Sequence, residues 1–385
     1  MKLKEVLSKY FKGDGIIWGI ILLLSIVSLL AVYSSTGTLA YKYHGGNTAY
    51  YVLKHFSLLV FGFVVIFITH LIPYKFYSRL SQLFLYVSIF MLGITLVLGT
   101  SLNQASRWLT LPGIGLTIQT SDFAKLALIM YLARVLSLRQ DRIDKFDGII
   151  VHLILPIVFV CGLIMPANLS TALILSATSM VLLFIGRVPT RYLLGVAGVG
   201  VLAISLLVAG VLVSKEKGRV GTWQNRIENY IGNENGDNYQ VEQSKIAIAS
   251  GGFFGKGPGN SSQRNFLPHP YSDFIYSIII EEYGFFGGFF ILLLYLVLLY
   301  RAGVIVRKTK RTFAAFLSIG LAISLTFQAM INMGVAVNVF PVTGQTLPLV
   351  SMGGSSLLFT GVALGIILSV SRSVQIDEEY QSEET

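Results

Sequence analysis

The chain has 385 residues, of which 54% are hydrophobic and only 12% charged, about half the roughly 25% charged residues usual in soluble domains. That composition excludes both a soluble globular protein and a disordered one. The net charge of +10 is therefore read first as a membrane-topology signal and not as a nucleic-acid footprint, while the single cysteine, Cys161, excludes a disulfide framework and a Cys-rich metal site.

In chain order, residues 1–15 come first. Leu3, Val6, Leu7, Tyr10 and Phe11 fall on one helical face with lysines mostly opposite, which suits a short amphipathic helix on the cytoplasmic membrane surface and equally suits a frayed tail. Ten apolar stretches then approach the roughly 20 residues that a helix needs to cross a hydrocarbon core. They are Ile16–Tyr33, Tyr51–Leu71, Leu80–Gly99, Phe123–Leu138, Ile149–Met165, Thr171–Ile185, Tyr192–Val213, Phe274–Tyr300, Phe313–Met333 and Met352–Val370. The fourth and sixth are short, and either extend into their polar flanks or are partly re-entrant.

Lys and Arg alternate in density from one connection to the next. Lys75 and Arg79, Arg134 to Lys145, Arg187 and Arg191, and Arg301 to Arg311 mark one side; Lys42, Lys54 and Arg107 are all that the short loops of the other side carry. The expected fold is an all-α polytopic membrane protein with about ten transmembrane helices and both termini cytoplasmic. Its transmembrane domain covers 16–371, with a large extracytoplasmic loop at 214–272. The acidic tail, 372–385, is expected to be cytoplasmic, and disordered from Asp377 onward.

The outer loop carries seven cations, including Lys245, Lys256 and Arg264, against five acids. Such an excess beside a membrane surface suits an anionic ligand, and it equally suits a solvated loop whose charges mostly cancel. At its end Asp273 sits where polar loop becomes apolar span. It is either the cap of the following helix, a role open to Ser272 as well, or a reactive carboxylate. Glu281 and Glu282 lie deeper in that span, where a charge faces a partner or a cavity; a structural ion-pair network and a direct role are both open. Arg107 and Trp108 fall in a short outer loop, and Lys125 near the outer end of a span. Trp108 alone suits an interfacial anchor and Lys125 alone a snorkelling lysine, whereas together with the loop cations Arg107 and Lys125 suit a phosphate cradle. Pro166 to Ala172, containing Asn168 and Thr171, forms a tight outer turn. Asn338 to Ser356, containing Ser355, Ser356, two prolines and three glycines, predicts irregular backbone entering the membrane, tolerated only where protein or a cavity surrounds it.

Several familiar motifs are absent. The glycine-rich run Gly251 to Gly259 lacks P-loop spacing, with Lys256 followed by Gly257. The histidines show no metal-ligand spacing, and no Ser/His/Asp arrangement stands out. Synthesis on the outer face then needs a donor activated beforehand, such as a lipid-linked pyrophosphate.

At these residues the chain resembles the SEDS family (shape, elongation, division, sporulation), to which FtsW, RodA and SpoVE belong. The resemblance runs from the first span to Arg372. It is carried by Ser106-Arg107-Trp108, Gln119 with Lys125, Tyr239 to Ser244, Ser250 to Gly257, Leu267 to Ile275 with Glu281-Glu282, and Leu347 to Ser356. Gly257-Pro-Gly-Asn-Ser261 is closer to the FtsW branch than to RodA. Departures fall at Gln119-Thr-Ser-Asp122, Asn168-Leu-Ser-Thr171 and Pro268-His269, where the family usually has Gln-Pro-Ser-Glu, Pro-Asp-Leu-Gly-Thr and Pro-Glu.

The resemblance implies a peptidoglycan glycosyltransferase that polymerises lipid II on the outer face of the bacterial cytoplasmic membrane, in cell division at the septum. It also implies a class B penicillin-binding protein transpeptidase and other division proteins as partners, and no nucleic acid. Asp273 takes the catalytic position. Arg107, Trp108, Lys125, Gln119, Lys256, Gln243 and Ser244 are assigned to substrate and pyrophosphate, with Glu281, Glu282, Asn168, Thr171, Ser355 and Ser356 in support. No cofactor is demanded; a divalent cation, Mg or Mn, held at Asp273 is the alternative to direct base catalysis. A lipid-precursor flippase and a non-catalytic division scaffold are the competing functions, the first favoured by the broken backbone near Pro341 and Pro348 and by Glu281 and Glu282.

Overall fold

The computed structural model describes residues 11–102, 105–110, 117–140, 146–213, 239–268 and 270–383. Each of the ten apolar stretches coincides with helix. Helix α1 (Gly15–Ser35) opens at Asp14, whose carboxylate accepts from the Ile16 and Ile17 amides and takes two bonds from Arg301, at 2.8 and 2.6 Å. That carboxylate thus serves as N-cap and as ion-pair partner at once. Next come α2 (Gly37–His44), α3 (Thr48–Leu71), α4 (Tyr74–Leu98) and α5 (Thr120–Leu138). Helices α6 (Phe146–Ile149) and α7 (Leu155–Ile164) are joined by a π turn over Ile150–Ile154, next to Pro156, whose missing N–H cannot continue a regular α ladder. The chain proceeds through α8 (Leu169–Ile185), α9 (Thr190–Val213), α10 (Tyr239–Gly251), α11 (Ile275–Lys308), α12 (Thr312–Ala336) and α13 (Gly354–Glu383).

Six of these, α1, α3, α4, α11, α12 and α13, are long and apolar enough to cross a membrane by length and composition. Helix α5 is buried on nearly every side and α12 on most of its length, so the two lie at the centre of the bundle, packed on each other. A helix enclosed this way shows no apolar stripe. Around them α3 packs along α13, α4 along α5, and α11 along α12.

Residues 337–353 break the helical pattern. Leu347, Val350 and Ser351 there are buried, and Leu349 is held at φ +65°. The Tyr295 hydroxyl donates to the Pro348 carbonyl, and Ser28 Oγ donates to the Val350 carbonyl at 2.7 Å. Irregular backbone enters the apolar zone here because protein groups supply its hydrogen bonds.

Four expectations need correction or restriction. The loop holding Arg107 and Trp108 is a small antiparallel sheet, β1 (Thr100–Leu102), β2 (Ala105–Thr110) and β3 (Thr117–Gln119). The segment 214–272 is not uniformly loop, since α10 packs on α11; residues 214–238 lie outside the described residues. The acidic tail continues α13 as helix to Glu383, with Lys12 and Lys308 paired to Glu379 and Glu378 at 2.7 and 3.1 Å. Of the N-terminal segment 1–15, residues 1–10 lie outside the described residues and 11–14 are not helical, with the Phe11 ring 5.0 Å from that of Trp18.

Candidate functional site

Of the segments singled out in the sequence, Asn338 to Ser356 bonds directly to the turn before α11. The backbone of that turn is gripped at three successive residues. The Met352 amide donates to the Tyr271 carbonyl at 2.9 Å, Ser351 Oγ to that of Ser272 at 2.6 Å, and Asn332 Nδ2 to that of Asp273 at 2.9 Å. The buried side chains of Leu267, Phe274, Ile278 and Val335 pack beneath it. Asp273 itself is half-buried, and its Oδ1 accepts from Ser272 Oγ at 2.8 Å. The capping expectation fails: the N-cap of α11 is Phe274, with no side-chain cap bond. Burial first, and then neighbours that include Asp273, hold the Tyr271 phenol above its ordinary pKa, so it remains a neutral hydroxyl at physiological pH.

From this turn a chain of side-chain amides runs inward. Asn332 Nδ2 also donates to the Gln345 carbonyl at 2.7 Å, and Gln345 Nε2 to Thr171 Oγ1 at 2.7 Å. Asn168 caps α8, accepting from the Thr171 amide at 3.2 Å. Gln328, one turn before Asn332 on α12, donates to the Thr346 carbonyl at 3.0 Å and accepts from Lys125 Nζ at 2.7 Å. Lys125 pairs with Asp122 at 2.9 Å, three residues earlier on α5. Thr346 Oγ1 and Ser356 Oγ lie 2.8 Å apart. Asp122, Lys125, Gln328, Ser356 and Thr360 line a small cavity of about 30 Å³. Lys125 does not snorkel: it is 8% exposed, inside a buried ion pair. Among the described residues, the buried atoms Asn168 Nδ2, Asn332 Oδ1 and Ser355 Oγ make no hydrogen bond. Of these, Asn332 is the one bonded through its Nδ2 to the carboxylate turn.

Glu281, Glu282 and Lys256 form a separate structure. Glu281 is fully buried and accepts from Lys256 Nζ at 2.7 Å, from the Ser262 amide at 3.1 Å and from the Gln263 amide at 3.2 Å, with the Ser261 and Ser262 hydroxyls besides. Glu282 accepts from the Ser34 hydroxyl and the Ser261 amide. Helix α11 is kinked at Gly284 (φ +70°, ψ −169°). The freed carbonyls of Glu281 and Glu282 receive the Lys256 and Gly257 amides, both at 2.9 Å. A Cβ on Gly255 would lie 2.2 Å from the Glu282 carbonyl oxygen. The glycine-rich run is thus a loop pressed against the backbone of a broken helix, which only glycine permits.

The remaining assigned residues are distributed around these two structures. In the sheet Trp108 pairs with Gln119, and Gln119 Nε2 donates to Ser121 Oγ at 3.1 Å at the start of α5. The Arg107 backbone lies in β2 beside Trp108; its side chain and His269 are outside the described residues. Gln243 is half-buried on α10. Ser244 is fully buried, bonded to Ser277 Oγ at 2.5 Å and to the Ala336 carbonyl at 2.6 Å; it fastens α10 to α11 and α12. Lys256, grouped by sequence with the phosphate cradle, is paired to Glu281 instead of standing open. Residues that sequence reasoning missed are Gln328, Asn332, Gln345, Thr346 and Tyr271. Two carboxamides four apart in an otherwise apolar span were the available signal, since Gln328 and Asn332 must share one helix face.

No group of three His, Cys, Asp or Glu among the described residues is arranged to hold a metal ion. A divalent ion at Asp273 would take most of its ligands from substrate pyrophosphate and water, a coordination habitual for Mg²⁺.

A family model described as "Cell cycle protein" (FTSW_RODA_SPOVE) matches residues 14–376. A relative from Trichlorobacter lovleyi, "Probable peptidoglycan glycosyltransferase FtsW", is 34% identical over 97% of both chains. "Stage V sporulation protein E" of Bacillus subtilis is 33% identical over 92% of this chain and 95% of its own. Among solved structures, a chain from a peptidoglycan synthase complex coordinating polymerization and crosslinking superimposes with TM-score 0.70 at 29% identity, covering 94% of this chain and 98% of that one. The Thermus thermophilus rod shape determining protein RodA does so with TM-score 0.67 at 27% identity, covering 94% and 97%.

Proposed function

This chain belongs to the FtsW–RodA–SpoVE family of cell cycle proteins, and we propose that within it the protein is a peptidoglycan glycosyltransferase that polymerises lipid II on the outer face of the bacterial cytoplasmic membrane. The observation that carries the reading is Asp273: a carboxylate beside the Ser272 hydroxyl, on a turn whose main chain is gripped from α12 and from the loop before α13. A catalytic base needs this fixed placement.

In this reading Asp273 accepts the proton of the acceptor sugar's 4-hydroxyl as that oxygen attacks the anomeric carbon of the donor. The bond to the lipid pyrophosphate breaks on the opposite side, so an α-linked donor gives a β-linked product, and undecaprenyl pyrophosphate leaves with the bonding pair. Arg107 in β2, next to Trp108, is the cation assigned to that leaving charge. Lys125, neutralised by Asp122, works through Gln328 to hold the Thr346 backbone. The partner is a class B penicillin-binding protein, as the likeness to a polymerising and crosslinking complex supports. Both termini are placed in the cytoplasm by the Lys and Arg alternation, and division at the septum is favoured by the FtsW-named relatives.

The flippase reading drew on two intramembrane glutamates. Both accept bonds from the Ser250 to Gln263 segment, which leaves that reading resting on the broken backbone near Pro341 and Pro348.

The test is polymerisation of lipid II by the purified protein with its transpeptidase. General-base assistance is worth about 10²–10⁴-fold, so Asp273→Asn is expected to lose at least 10²-fold in glycan formation while its melting temperature stays near wild type. Wild-type glycan yield from Asp273→Asn would end the assignment, and lipid II translocation without polymerisation would restore the flippase.

A further inference from the structure

The largest of the described cavities, about 300 Å³, lies at the opposite end of the bundle from the candidate site, on the Lys- and Arg-rich face. It is bounded by the α3–α4 turn, the start of α12 and the second half of α13. Lys75, Arg311 and Arg372 line it against one acid, Asp377. No ion pair engages Lys75 or Arg311 among the described residues, and Arg372 gives one bond to the Leu71 carbonyl, at 3.2 Å. Two helix N-termini open here, α4 after Pro73 and α12 after Arg311. Neither has a side-chain cap, and neither has an acid in its first turn. Three cations and two uncapped positive helix ends around one opening constitute an anion site in search of its anion.

His70 provides an independent observation. It lines the same cavity, is 0% exposed, and its Nε2 is 2.7 Å from the Lys12 carbonyl. A carbonyl only accepts, so Nε2 carries the proton. Nδ1 of the neutral ring is then an acceptor, and it has no partner among the described residues. A ligand that meets both demands carries an anion and a hydroxyl donor. Beside the cavity Leu71 and Phe76 expose 39% and 50% of their surface at the level where the apolar spans begin, as acyl chains require.

We propose that this cleft binds the headgroup of an anionic glycerophospholipid of the cytoplasmic leaflet. Lys75, Arg311 and Arg372 take the phosphodiester, a headgroup hydroxyl meets His70 Nδ1, and the acyl chains lie along Leu71 and Phe76. Basic pockets between helix ends on this side of a membrane are suited to such headgroups. Occupancy would tie α3, α4, α12 and α13 together at the end away from the chemistry, so it acts on stability and not on the polymerising step.

The probe is phosphatidylglycerol against phosphatidylethanolamine, with the full chain in nanodiscs of each and with retained lipid counted by native mass spectrometry. Wild type is expected to retain phosphatidylglycerol at least 10-fold over phosphatidylethanolamine and to melt at a higher temperature in its presence. Lys75→Gln/Arg311→Gln is expected to lose most of that preference, while Arg191→Gln, elsewhere on the same face, keeps it. Equal retention of the two lipids by wild type, a reading that needs no variant to fold, overturns the proposal. So does an unchanged preference in the double variant. Full displacement of the lipid by millimolar inorganic phosphate also overturns it, in favour of a free-phosphate site.

Discussion

Lys256 separates two roles that the sequence leaves joined. As a phosphate ligand its loss weakens substrate binding; as the counter-ion of Glu281 its loss weakens the fold. In Lys256→Met the Glu281 carboxylate, 0% exposed, keeps its serine and backbone donors but loses its only cation among the described residues. Breaking a buried pair from one side costs about 3–5 kcal/mol. The remaining donors, and a lysine side chain already 33% exposed, lower the expectation to about 1–3 kcal/mol. Removing the charge from both sides, Lys256→Met with Glu281→Gln, is expected to recover part of that loss as a coupling energy of similar size. The assay is thermal unfolding of the four proteins in one detergent, alongside the KM for lipid II of the folded material. A lower melting temperature with unchanged KM supports the strut. An unchanged melting temperature with a raised KM refutes it and returns Lys256 to the substrate.

Two further outcomes follow from the same geometry. Gly255→Ala places a Cβ 2.2 Å from the Glu282 carbonyl oxygen at φ +81°, where the backbone conformation alone costs about 1–3 kcal/mol; a clear drop in melting temperature is expected, and an unchanged one would show that the loop does not press on α11. Asn332→Leu removes the donor to two carbonyls, those of Asp273 and Gln345, at about 1–3 kcal/mol for each group left unsatisfied; glycan turnover is expected to fall with lipid II binding retained, and wild-type turnover would show that Asn332 does not position the turn.

The spans were legible because they depend on composition over 15 to 25 residues, and each stretch chosen that way is helix. The irregular segment 338–356 was legible for a similar reason, since its prolines and glycines exclude a continuous span. Partners across the chain were not. Lys256 and Glu281 are 25 apart, Ser244 and Ala336 are 92 apart, and Lys125 and Gln328 are 203 apart; no local pattern encodes such a pairing. The sheet around Trp108 was hidden because its strands have only 3, 6 and 3 residues, too few for an alternation to register. The tail was expected to be disordered on composition alone, whereas its acids stand where Lys12 and Lys308 can meet them.

The two acidic groups of α11 and its entry turn divide the labour by what holds them. Around Asp273 the three ties from Asn332, Ser351 and the Met352 amide grip main-chain groups. These ties hold the main chain of the turn, and in the proposed reading they remain when Asp273 is changed. Around Glu281 the ties grip the carboxylate itself, so a change there releases the loop. A carboxylate that must gain and lose a proton each cycle cannot also be the anchor of its own backbone, because protonation would weaken the bonds that place it. A carboxylate that anchors a loop must stay ionised, which the Lys256 ammonium and two backbone amides enforce. By that criterion the reacting carboxylate we propose is Asp273, and Glu281 and Glu282, both bonded by the Ser261 and Ser262 region, are anchors.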